Sequence, residues 1–123
     1  RFVEKLLTHG RQVAKSTIEV DLNGENSTAD IVFRSVARDI SKQDFKLHIT
    51  GKTICRGHSE CDAIITDDAK VMATPSLNAE SLNAELIHEA AIGKIAGAEI
   101  NKLMTLGLTS TAAEAQIING FLK

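Results

Sequence analysis

The chain has 123 residues, of which 43% are hydrophobic and 24% charged; this is one domain's worth of ordinary globular composition and excludes an intrinsically disordered segment. A formal net charge of −2 supplies no field that would draw the protein onto nucleic acid or an anionic membrane. Phe2, Phe33, Phe45 and Phe121 are the only aromatic residues, which leaves no platform for stacking bases, and no apolar run approaches the roughly 20 residues of a membrane-spanning helix.

Period-two patterning dominates the first half. In Thr17–Leu22 the apolar Ile18, Val20 and Leu22 alternate with Glu19 and Asp21, as a half-buried strand requires. Asn23-Gly24 and the polar residues behind it supply a turn. A second strand is expected over Ala29–Arg38, with Ile31, Phe33, Ser35 and Ala37 on one face. A third, Gln43–Thr50, turns Phe45, Leu47 and Ile49 inward and Lys46 and His48 outward. A short stretch Thr53–Arg56 follows, then strands Cys61–Thr66 and Lys70–Thr74 joined at Asp67-Asp68, and Pro75 closes the β-rich part. The expected division is therefore a β body over 1–75 and a C-terminal segment over 76–123, together one compact unit.

Helical spacing replaces this pattern later. Leu86, Ile87, Ala90, Ala91 and Ile95 recur at helical intervals, although Gly93 and Gly97 weaken the segment and favour an extended start. Ala98–Leu106 reads as a better helix, with Gly107 placed as a left-handed C-cap. Thr109 or Ser110 can cap a last helix whose stripe is Ala113, Ile117, Phe121 and Leu122. Short strands with polar corners and a helical hairpin fit either a β-sandwich or the rungs of a β-solenoid, and no strict repeat is visible to choose between them.

Candidate chemistry is sparse. Cys55, His58 and Cys61 form C-x-x-H-x-x-C, soft ligands suited to zinc or iron. On a strand, however, the three-residue offset turns His58 away from the two thiols, and a fourth ligand is missing. The two cysteines are expected to be reduced thiols in a cytoplasmic protein. Cys61 stands between Glu60 and Asp62, whose charges disfavour the thiolate. His88-Glu89 interrupts an apolar stretch, and neighbouring residues of any regular element point in different directions. Asp67-Asp68 is turn chemistry before it is a carboxylate pair. With no phosphate-binding loop, and no third group to orient a Cys–His nucleophile, a binding or scaffold role is expected rather than an enzyme.

Taken in order, Gly57-His58-Ser59-Glu60-Cys61-Asp62-Ala63-Ile64-Ile65, Leu86-Ile87-His88-Glu89-Ala90-Ala91, Leu103-Met104, Gly107-Leu108-Thr109 and Ile117-Ile118-Asn119-Gly120-Phe121 resemble the C-terminal part of the SufB/SufD family, scaffold components of the SUF iron–sulfur cluster assembly machinery. The resemblance implies the last rungs of a right-handed parallel β-helix followed by a C-terminal helical subdomain, within a longer protein. It implies pairing through the β body as a homodimer or a SufB/SufD-type heterodimer, and docking of a SufC-like ATPase on the C-terminal helices. It also implies a transient iron–sulfur cluster rather than a tightly bound cofactor. Cys61 would be its thiolate and metal ligand, with His88 or Glu89 completing the site across an interface. Ala73–Glu85 departs from SufB-type members, lacking their aromatic segment, which leaves a purely structural SufD-like role as the alternative. A small metal-binding β-protein using Cys55, His58 and Cys61 is a third.

Overall fold

The computed structural model describes residues 1–123. Seven strands come first, β1 (Phe2–Thr8), β2 (Val13–Leu22), β3 (Ser27–Ala37), β4 (Lys42–Gly51), β5 (Cys55–Ile65), β6 (Lys70–Ala79) and β7 (Ala84–Gly93). Two helices follow, α1 (Gly97–Thr105) and α2 (Ser110–Leu122). Odd strands form one parallel sheet in the order β1-β3-β5-β7, and even strands form a second, β2-β4-β6. The chain alternates between the sheets and climbs one rung each time. The result is a parallel β-helix of about three turns, which resolves the choice between sandwich and solenoid.

The repeat that the residues hide is plain in the register. Phe2 faces Ile31, Ser27 faces Cys55 and Cys55 faces Ala84, so equivalent positions recur every 28 or 29 residues. Shape repeats where identity does not. At one corner Gly10, Asp39 and Asp67 stack with φ of 57°, 59° and 56°. Asp39 Oδ2 accepts the Gly10 N–H at 2.7 Å and Asp67 Oδ2 accepts the Asp39 N–H at 3.3 Å. Asp and Gly both tolerate the left-handed conformation, and the Asp carboxylate also satisfies the amide one rung below.

Inward side chains from both sheets meet in a narrow core of Leu22, Ile31, Phe33, Phe45, Leu47, Ile49, Cys55 and Cys61. Phe33 and Phe45 face each other across it with ring centroids 4.8 Å apart. Gly57 is inward too, and a Cβ there would lie 2.9 Å from Leu86 Cδ2 and 3.3 Å from Ile49 Cγ2. Leu86 takes that space instead.

The tail returns along the outer face of the odd-strand sheet. Gly107, at φ 100°, ends α1, with its N–H on the Met104 carbonyl and that of Leu108 on Leu103. Thr109 Oγ1 then accepts the Ala112 N–H at 3.1 Å and caps α2. Ala113 and Ile118 are the buried residues of α2, which packs beside β3, where Val36 is fully enclosed. Arg38 and Glu114 pair at 3.9 Å, and Lys5 Nζ donates to the Lys123 carbonyl. No helix is long and apolar enough to cross a membrane.

Four expectations change. Phe2–Thr8 is a strand, unforeseen because Glu4 and Lys5 interrupt its apolar positions. Cys55–Ile65 is one continuous strand, not two pieces around a loop. β6 runs through Pro75 to Ala79, so the boundary drawn at residue 75 falls inside a strand. Proline is tolerated there because β6 is an edge strand, with a neighbour on one side only. Finally, Leu86 to Gly93 is β7, which carries the β body on to Gly93. Its helical spacing is the near-continuous apolar run of a parallel strand, with Leu86 inward and Ala91 outward beside Ile95 and Ile117 of the tail.

Candidate functional site

Strand β5 decides which residues can meet. Its pleat sends Cys55, Gly57, Ser59, Cys61 and Ala63 inward and Arg56, His58, Glu60 and Asp62 outward. On β7, in register, His88 lies opposite Ser59 and Ala90 opposite Cys61. His88 is therefore inward as well, diagonal to the thiol on the next strand. Both line one cleft at the last complete rung, with Phe33, Phe45 and Pro75 among its other walls. The cleft holds about 10 Å³, room for roughly one water molecule.

Ser59 was not foreseen. Fully enclosed, its Oγ lies 2.5 Å from His88 Nδ1. A serine two residues before the cysteine shares its face on any strand. That signal becomes readable only once Cys55–Ile65 is recognised as a single strand and the 29-residue offset to His88 is known.

Electrostatically the inner pair rests neutral. Burial, and then the charge of Asp62, push the Cys61 thiol up to about 11. Burial, and then the nearby His58, pull His88 below its ordinary range. A thiol and a neutral imidazole stored in an apolar cleft are poor nucleophile and base but good ligands in waiting, because a metal supplies the charge that removes the thiol proton.

Glu89 goes elsewhere. Its carboxylate lies on the outer face, where Oε2 is 3.3 Å from His58 Nε2. His58 Nδ1 is 3.0 Å from Asp30 Oδ1, and Asp30 pairs with Arg1 at 2.9 Å. The imidazole thus bridges three adjacent strands. Hydrogen bonding to Asp30, and then to Glu89, raises the pKa of His58, while the bond from His58 lowers that of Asp30. Next to them, burial and then a hydrogen bond with Glu60 push the Asp62 carboxyl up. Within one chain, Glu89 does not join Cys61 and His88.

Nor does C-x-x-H-x-x-C converge. His58 is on the opposite face, and the two inward thiols are six residues, about 20 Å of strand, apart. Both cysteines are free and buried, and no group of three or more His, Cys, Asp or Glu side chains is arranged to hold a metal ion. Asp67 serves the corner ladder. The largest concavity, about 580 Å³, lies around Lys15, Lys42, Asp44 and Lys70 and contains none of these candidates.

Fold and site together define a class: a parallel β-helix with an inward thiol–imidazole pair at its last rung and a helical hairpin strapped along one sheet. Residues 2–121 match the family described as SUF system FeS cluster assembly, SufBD core domain, and the chain belongs to that family. A protein of Methanothermobacter thermautotrophicus named as an iron–sulfur cluster assembly SufBD family protein is 38% identical over 105 residues, covering 84% of this chain and 26% of that protein. One from Archaeoglobus fulgidus is 39% identical over 104 residues, 83% of this chain and 28% of its own length. One from Pyrococcus horikoshii is 33% identical over 127 residues, 99% of this chain and 39% of its own. The chain thus spans between a quarter and two-fifths of the length of these relatives.

Proposed function

We propose that this chain is part of a scaffold subunit for iron–sulfur cluster assembly, in which Cys61 and His88 receive the iron of a nascent cluster. The observation that carries this reading is their shared cleft: two strands 29 residues apart in sequence put a thiol and an imidazole side by side on the inner face. Thiolate and imidazole together suit iron and its sulfides. The cluster is cargo, held transiently, and the cleft must widen to take it.

The opening lies at the end of the solenoid. Strands β6 and β7 are edges, and Ala90 and Ile92, inward by parity, are exposed because no further rung covers them. Unpaired parallel edges over apolar side chains favour a partner strand. We propose that the partner is a second copy or a SufB/SufD-type relative, and that it supplies the remaining ligands. The hydrolytic step belongs to a SufC-type ATPase docked on α1 and α2, where Met104 and Leu106 stand exposed.

Anaerobic reconstitution with ferrous iron and sulfide tests the reading. The native chain should develop cluster absorbance that Cys61→Ser loses; equal absorbance in both removes Cys61 from the site. A second reading, a purely structural subunit, is favoured by the 2% exposure of Cys61 and the one-water cleft. Under it the same variant assembles clusters normally and still captures the ATPase. The metal-binding alternative using Cys55, His58 and Cys61 has the pleat against it.

A further inference from the structure

We propose that Ser59 is the positioning residue of this site: its hydroxyl holds His88 by Nδ1, so that Nε2 is the nitrogen offered to an incoming metal beside Cys61. The proposal rests on the reading of Cys61 and His88 given above. Ser59 is opposite His88 in the register, fully enclosed, and 2.5 Å from Nδ1. The other ring nitrogen has no protein partner, and the imidazole lines the cleft with the thiol.

A neutral imidazole coordinates metal through its unprotonated nitrogen, and its other nitrogen then carries a proton that needs an acceptor. At Nδ1 that acceptor is Ser59 Oγ. A hydroxyl that accepts from Nδ1–H favours the neutral tautomer whose Nε2 is unprotonated, and without it the two neutral tautomers lose that distinction. Other inward neighbours on β5 cannot do this. Gly57 has no side chain, Ala63 has no polar atom, and Cys61 is the other ligand. Removing the hydroxyl leaves a partly buried Nδ1 with no hydrogen bond and a ring free to turn about its side-chain torsions.

The test uses the whole chain and zinc(II) as a diamagnetic probe, with the imidazole nitrogens followed by ¹⁵N NMR in the native protein, Ser59→Ala and Ser59→Thr. In the native chain zinc should shift Nε2 of His88 while Nδ1 keeps its proton. Ser59→Ala should weaken zinc binding by about 10- to 100-fold, the usual effect of losing the partner that orients a ligand histidine. Ser59→Thr, which keeps the oxygen, should restore most of it. Without metal, the native ring should show one tautomer and Ser59→Ala a mixture. Zinc affinity and ring spectrum unchanged in Ser59→Ala, or zinc bound at Nδ1, overturns the proposal. If the native chain takes no zinc at Cys61 and His88, the functional reading fails, and the metal-free tautomer comparison alone decides the role of Ser59. A folded amide spectrum for both variants separates loss of positioning from loss of structure.

Discussion

His88 and Glu89 are neighbours in sequence and strangers in space: the imidazole of one bonds Ser59 inside the β-helix, while the carboxylate of the other reaches His58 outside it. Strand parity alone separates them. A dipeptide that reads as one ligand pair is therefore two sites, an inner one made with β5 and an outer bridge across β3, β5 and β7.

Glu89→Gln should leave metal binding by the isolated chain unchanged and lower the pKa of His58, since the Glu89 carboxylate is one of the two groups that raise it. NMR titration of the His58 ring measures the direction. An unmoved His58 together with lost metal binding would return Glu89 to the inner site.

The outer bridge has a pH window. His58 has a folded pKa above its unfolded value near 6.5, so its contribution to stability is complete below about 6.5 and is lost as pH rises through the folded pKa. Asp30 has a folded pKa below its unfolded value near 3.8, so its contribution is present above that value and lost as pH falls through the folded pKa. The difference in urea midpoint between the native chain and His58→Gln should be largest near pH 5.5 and shrink toward pH 9. Both side chains are about a third exposed or more, so the effect is screened and modest. A difference independent of pH contradicts the bridge.

Cys61 should resist alkylation. A thiol near 11 has little thiolate at pH 8, and 2% exposure blocks the reagent. Iodoacetamide should modify it about a hundredfold or more slowly than a free cysteine of pKa about 8.5. Rapid labelling in native buffer would show that the last rung opens far more readily than its packing implies.

Gly57→Ala should destabilise the fold by about 1–3 kcal/mol, the usual cost of overpacking. Its new Cβ meets Leu86 of β7 at 2.9 Å and Ile49 of β4, across the core in the other sheet, at 3.3 Å. Denaturant unfolding measures it. A neutral result would mean that Leu86 rotates away freely.

Much of the fold was legible because burial alternates as the residues do. Phe45, Leu47 and Ile49 point inward with Lys46 and His48 outward, and the Gly107 and Thr109 caps stand where their residue types place them. Local rules govern such features. The period was illegible because parallel rungs repeat shape, and Gly10, Asp39 and Asp67 solve one corner with different side chains. β7 resembled a helix because it carries apolar residues on both faces, Leu86, Ala90 and Ile92 inward and Ile87 and Ala91 outward. The separation of His58 from the two thiols followed from parity alone. Ser59 and Asp30 required the register between strands 28 or 29 residues apart, which no local pattern carries.

Cobalt(II) titration reads the partnership of thiol and imidazole most directly, since a cobalt–thiolate bond gives its own charge-transfer absorption. The native chain should show that band; Cys61→Ser should abolish it, and His88→Ala should lose it or bind cobalt about 10-fold or more weakly. A band of full strength and affinity in His88→Ala, or one that survives Cys61→Ser, would contradict a metal site built from these two residues.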